Sequence, residues 1–221
     1  EKEKYSLLLD LLTPIVKTYP SEMGIQSISQ GLQCFGGSGF CDDYPLEQYY
    51  RDCRIHPIHE GTTAIHGIDL LGRKTVMYEG KAYAIYLAEV TRAIEQAKKV
   101  AQIAPYAQCL ADALEKLKAL TDHLKAVRKE KGDEIYLADA TLYLEYFGII
   151  CIAWQWLIQG LAVQEALSGK CRKKDERFYH GKFATMQYFY EYELPKTMGL
   201  EARLMRNDGL TVNLEPSLFD D

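Results

Sequence analysis

YAQCLADALEKLKALTDHLKAVRK (residues 106–129) is the stretch on which the fold class turns. Leu110, Leu114, Leu117, Leu120, Leu124 and Val127 recur at intervals of three and four, which lines them along one stripe of a helix. Working outward, the same spacing predicts long helices over 79–103, 133–168 and 174–206, the last including Pro195, with turns at Gly132 and at 169–172. No run alternates with period two, so essentially no sheet is expected. The chain reads as all-α, and the helices beyond residue 79 suffice for an up-down four-helix-type bundle.

The first third of the chain is built differently. Leu8, Leu11, Leu12 and Ile15 mark a helix over 4–17 that Pro20 is expected to close. Ser21 with Glu22 opens a second helix toward Leu32, which stops at the glycines of QCFGGSGF (33–40). Pro45 begins a short helix over 45–54, Pro57 ends that piece, and a further helix runs from Thr62 to Lys74. The stretch TVMYEG (75–80) then marks a boundary. The expected division is a short-helix unit over 1–75, a long-helix unit over 79–206 and an acidic tail over 207–221.

Composition narrows the function. The 221 residues are 48% hydrophobic and 26% charged, which describes a globular protein with ample core. A formal charge of −5 argues against a nucleic-acid protein, which usually carries a basic face. The six cysteines are scattered with no C-x-x-C pair, so reduced thiols and a cytoplasmic setting are expected. The apolar run YFGIICIAWQWLIQGLAV (146–163) approaches the length of a bilayer span. Gln155, Gln159, Gly148 and Gly160 interrupt it and no basic anchors flank it, so it reads as a helix buried in a bundle. The chain opens on EKEKYSLLLDLL, already within a helical pattern and without Met, which suggests a piece of a longer protein.

The chemistry concentrates in IHPIHEGTTAI (55–65). Glu60 precedes Gly61 at a break in the chain, where the backbone can bend sharply and aim the carboxylate into a cavity. A carboxylate held dry in an apolar pocket becomes a strong base at neutral pH. His56, His59, Glu60 and His66 do not make a metal site, because Pro57 and Gly61 break the helix and the order is H-x-x-H-E rather than H-E-x-x-H. GGSGF lacks the Lys-Ser/Thr of a phosphate loop and the third glycine of a dinucleotide fingerprint. It is either a helix stop or a place where bare N–H groups meet an anionic ligand. Arg51 and Asp52 read as a structural ion pair, and His180 as an ordinary helix residue.

The ordered string QCFGGSGF, DDYPLEQYYRDCRI, IHEGTTAI and LLGRK (33–74) resembles the C-terminal helical domain of flavin-dependent acyl-CoA dehydrogenases. Residues 79–200, with AW (153–154) and FYHGK (178–182), more loosely resemble the extra helical extension of that family's larger members. The resemblance implies that residues 1–75 complete the dehydrogenase helical domain. It implies Glu60 as the catalytic base that takes the α-proton of an acyl-CoA thioester, giving a trans-2-enoyl-CoA. In the family, the backbone N–H of that glutamate and a flavin ribityl hydroxyl hold the enolate oxygen. Gly61 leaves room for the thioester, Thr62 reaches the flavin diphosphate region, and Gln33, Gly36 and Gly37 meet the adenosine end of FAD held by a neighbouring subunit. A homodimer at least, and electron transfer flavoprotein as acceptor, are implied with them; Arg51 and Asp52 become framework.

This sequence departs from the family pattern at His59, Ala64 and His66, where many members carry tyrosine, glutamine and glutamine. The glutamine absent at 64 is one that contacts flavin in many members, while the larger members often carry a small residue there. The family's N-terminal helical domain and middle β domain are not encoded here. The segment alone is therefore expected to fold as helices, to bind no FAD and to be inactive. A reading of another class is a helical interaction module that keeps the fold for assembly without catalysis.

Overall fold

The computed structural model describes residues 1–169 and 171–219. Lys170, in the expected 169–172 turn, and Asp220 and Asp221, at the end of the tail, lie outside the described residues. Among the described residues there is no strand: the fold is all-α, as the spacing of apolar residues predicts.

Helix α1 (Lys2–Phe35) is one continuous helix with Pro14 and Pro20 inside it, so Pro20 does not close a helix at residue 17. An interior proline leaves the carbonyl four residues earlier without its donor. For Pro20 that carbonyl belongs to Val16, an exposed residue whose carbonyl water can solvate. The buried face of Leu7, Leu8, Leu11, Pro14, Ile15 and Thr18 holds the helix together against the core, and packing overrides the local breaker. The helix stops at Gly36, whose φ of 59° is the left-handed conformation that glycine supplies. The short turn of helix α2 (Gly37–Phe40) follows. A Cβ on Gly39 would lie 2.8 Å from the Phe35 Cβ, so the glycine-rich stretch acts as a helix stop with close backbone packing.

Helix α3 (Leu46–Arg54) begins after Pro45, and Pro57 lies just beyond it. Helix α4 (Thr63–Asp69) passes into a π-turn over Leu70–Lys74 rather than continuing as regular helix. Tyr78, Glu79 and Gly80 all have positive φ, which breaks the helical path between 75 and 80. Helix α5 (Lys81–Ala97) is shorter than the expected 79–103, because 98–103 are tight turns. Helix α6 (Ala104–Leu137) breaks at Gly132 (φ 86°), where the sequence places a turn. Helix α7 (Ala140–Ser168) is the apolar one. The expected single helix over 174–206 is divided into α8 (Lys173–Tyr188), a π-turn, a 3-10 turn that places Pro195 in its first turn, and α9 (Thr197–Leu204).

The core joins α1, the π-turn and α5 to α9. Leu11, Ile15, Leu71, Tyr86, Leu117, Phe147 and Leu157 belong to one buried cluster. Helix α7 runs through it: it is long and apolar enough to cross a membrane, and 61% of its most apolar window is buried. The Tyr143 hydroxyl and the Ala153 carbonyl of this helix are paired within the protein. Thr121 Oγ1 lies 2.7 Å from the Tyr143 hydroxyl and accepts from Tyr83 at 3.2 Å, and Tyr190 donates to the Ala153 carbonyl at 2.9 Å. Of the aromatic residues of the extension, Trp154 and Phe189 are buried and Trp156 and Phe183 pack on the core. Phe178 is exposed, with Lys182 over its ring.

Candidate active site

Residues 55–62 join α3 to α4 and carry Glu60. The Ile58 and His59 amides both donate to the Ile55 carbonyl, at 2.9 and 3.1 Å, and close a tight turn around the buried Pro57. Glu60 then adopts φ 53° and Gly61 φ 95°. A left-handed conformation at a non-glycine residue costs about 1–2 kcal/mol, so something must hold Glu60 there. The Lys17 ammonium of α1 does so, donating to the His56 carbonyl at 2.6 Å and to the Gly61 carbonyl at 2.7 Å. Such charge-assisted bonds are each worth about 1.5–3 kcal/mol when shielded and less when half-exposed, enough to offset the backbone cost. The His66 ring lies against Gly61, where a Cβ would come within 2.8 Å of Nε2. With its proton on Nε2, His66 donates to the Glu60 carbonyl at 3.3 Å. Thr62 caps α4 by accepting from the Ile65 amide at 3.5 Å, and Thr63 donates to Glu22 of α1.

The turn therefore has a defined shape, but the carboxylate is not dry within this chain. Glu60 is exposed, against the expectation of an apolar pocket around it. The neighbouring cavity of about 230 Å³ is lined by Thr18, Tyr19, Glu22, Thr63 and Glu145, among others, but not by Glu60. The physical reason is that α1, α3 and α4 supply the floor of the turn and no described residue covers it. Among the described residues no protein group accepts from the Glu60 N–H, which leaves a carboxylate and an unused donor side by side on one residue.

The other expected site residues fall in two places. Gly61 and Thr62 share the turn with Glu60. Gln33, Gly36 and Gly37 are exposed at the far end of α1, and a Cβ on either glycine would meet open space. Gln33 lies sixteen positions along α1 from Lys17, at the turn. At 1.5 Å per residue that is about 24 Å, so the two groups belong to separate surfaces of this chain. Arg51 does not pair with Asp52: it lies 3.9 Å from Glu47, and Asp52 accepts from Gln48 at 2.7 Å. The i,i+4 spacing places these partners on one helical face, whereas neighbours in sequence point apart. His59 Nδ1 lies 3.0 Å from the Ile55 carbonyl, and His180 is exposed on α8. Among the described residues no three His, Cys, Asp or Glu side chains converge as metal ligands.

The sequence marks neither the clamp by Lys17 nor the contact of Glu22 with Thr63. Both act on residues about forty positions later, and no local pattern marks a half-buried lysine whose partners are carbonyls. His66 drew notice as a departure from the family pattern; its bracing of Gly61 is visible only in three dimensions.

Comparison with known proteins gives two family matches. Residues 9–75 match the model described as "Acyl-CoA dehydrogenase, C-terminal domain", and residues 86–215 match "Acetyl-CoA dehydrogenase C-terminal like". The chain is 34% identical to 3-methylmercaptopropionyl-CoA dehydrogenase of Ruegeria pomeroyi over 199 residues, covering 89% of this chain and 33% of the relative. It is 31% identical to the broad-specificity linear acyl-CoA dehydrogenase FadE5 of Mycobacterium tuberculosis over 215 residues, covering 95% and 35%. A butyryl-CoA dehydrogenase of Syntrophomonas wolfei is 26% identical over 220 residues, covering 99% and 36%. The chain thus spans about a third of the length of these relatives.

Proposed function

Because this chain belongs to the acyl-CoA dehydrogenase family and corresponds to its C-terminal region, we propose that it carries the base of an α,β-dehydrogenation of acyl-CoA thioesters. The Glu60 carboxylate takes the α-proton. Its own N–H, free of any acceptor among the described residues, donates to the thioester oxygen, where negative charge gathers as the C–H bond breaks. A bound flavin would supply the acceptor for the β-hydride, and the product would be a trans-2-enoyl-CoA. The observation that carries this reading is the clamped left-handed turn. It places a carboxylate and an unused N–H on one residue, at a surface that more chain can cover. Covering it removes water and strengthens the base.

The residues present fit a flavin in two places. Thr62, beside the base, would lie near its diphosphate. Gln33, Gly36 and Gly37, about 24 Å away along α1, offer bare backbone to the adenosine end of a flavin belonging to a neighbouring subunit. That separation supports a homodimer in which each subunit serves both flavins. Electron transfer flavoprotein as acceptor, a cytoplasmic setting and the division into a 1–75 unit and a 79–206 extension belong to the same proposal. The test is Glu60→Gln in the full-length enzyme, assayed with a panel of acyl-CoA substrates. FAD content is expected to be unchanged and turnover to fall about 10³-fold, since an amide does not accept the proton. Turnover close to wild type would assign the base elsewhere.

A further inference from the structure

We propose that Lys17 is the positioning residue for Glu60, a role that rests on the reading of Glu60 as the base. Its ammonium bonds two carbonyls that flank Glu60 in sequence, those of His56 and Gly61. Those two peptide planes bracket the left-handed step, so fixing both fixes the direction of the Glu60 Cα–Cβ bond, from which the carboxylate projects, and of the Glu60 N–H. Among the described salt bridges none includes Lys17, so its contacts go to backbone oxygens and not to an acidic side chain. The anchor belongs to a core-packed helix. Lys17 sits between Ile15 and Thr18, both buried in the face of α1 that packs on the core. The turn is thereby tied to a helix packed on the core rather than to its own loop. Thr63, on Glu22 one helical turn further along α1, repeats the attachment on the other side of the glycine.

The experiment uses the full-length flavin-loaded enzyme with Lys17→Met, Lys17→Gln and Lys17→Arg beside Glu60→Gln. A displacement near 1 Å at a reacting group costs about 100-fold in rate, so kcat of Lys17→Met is expected to fall about 100-fold. KM should stay within about threefold, because substrate binding is not what the clamp serves. Flavin stoichiometry should be retained, and amide hydrogen exchange across 55–62 should quicken. Lys17→Arg keeps a cation and is expected to recover about tenfold of the lost rate. Lys17→Gln keeps a weaker donor and carries the same test should the methionine variant fail to fold. Wild-type kcat in Lys17→Met or Lys17→Gln overturns the proposal. So does a loss of rate with unchanged exchange at 55–62, and so does failure of all three variants to fold, which would make Lys17 a general structural residue. An active Glu60→Gln enzyme overturns the reading of the base itself; an inactive one beside a fully active Lys17→Met overturns only the role of Lys17.

Discussion

At the scale of single residues, the site consists of a strained backbone and the groups that hold it. Gly61 tests this directly. Its φ of 95° disfavours any side chain, and an added Cβ would press on His66 Nε2 at 2.8 Å. Gly61→Ala is expected to destabilise the protein by about 1–2 kcal/mol, read from denaturant midpoints. Adding His66→Ala should return only part of that loss, since it removes the clash and leaves the backbone strain. A neutral Gly61→Ala would mean the turn is softer than its hydrogen bonds imply. The bend at Glu60 and Gly61 was legible in the sequence because a glutamate before a glycine between two helices is a local signal; the role of Glu60 as base comes from the family resemblance. The exposure of Glu60 was not legible, since what covers a residue depends on chain brought from elsewhere. Nor was the Lys17 clamp, whose partners lie 39 and 44 positions away.

Among the elements, one ion pair ties α1 to the π-turn after α4. The Lys74 side chain is 5% exposed and pairs with Asp10, whose side chain is 42% exposed. Removing either partner has unequal consequences. Asp10→Ala leaves a buried ammonium without its anion and is expected to cost about 3 kcal/mol. Lys74→Met fills the same space with an apolar chain while Asp10 turns to water, and should cost about 1 kcal/mol or less. Equal losses in thermal or denaturant unfolding would contradict the burial of Lys74. The existence of the long helices was legible from their apolar spacing, as in α6 and α7. Their ends were less so. Pro20 sits inside α1 because the buried stripe outweighs one missing hydrogen bond, whereas Pro195 does mark a break, in a 3-10 turn after a widened π-turn. A local rule does not say which of two prolines packing will overrule.

For the whole molecule, the core contains many buried tyrosines, and this gives stability an alkaline limit. Burial pushes the Tyr19 phenol up to about 12, helped by the nearby Glu193 and Glu145 carboxylates. Burial likewise raises Tyr83, Tyr86, Tyr143, Tyr146 and Tyr190. Below about pH 10 these phenols are protonated in both the folded and the unfolded chain, and their contribution is fully present. Above it the unfolded chain ionises first. Unfolding then releases protons, and stability falls with rising pH until the native phenols themselves titrate, for Tyr19 near 12. Unfolding midpoints should therefore drop steadily from pH 10 to 11.5; a flat profile would contradict the buried placement of these rings. The all-α class and the position of α7 in the core could be read from the sequence, because periodicity and the glutamines within an apolar run are intrinsic to the chain. The separation of the two candidate flavin surfaces could not, because it depends on α1 remaining unbroken. The claim on which the functional account rests is that Glu60 takes the α-proton. The most direct measurement is exchange of that proton: the full-length enzyme is held with a saturated acyl-CoA in deuterated water without an electron acceptor, and α-deuterium is followed by mass spectrometry. Wild type is expected to incorporate deuterium and Glu60→Gln none above background with flavin and acyl-CoA still bound; incorporation by the variant at the wild-type rate would mean that another group takes the proton.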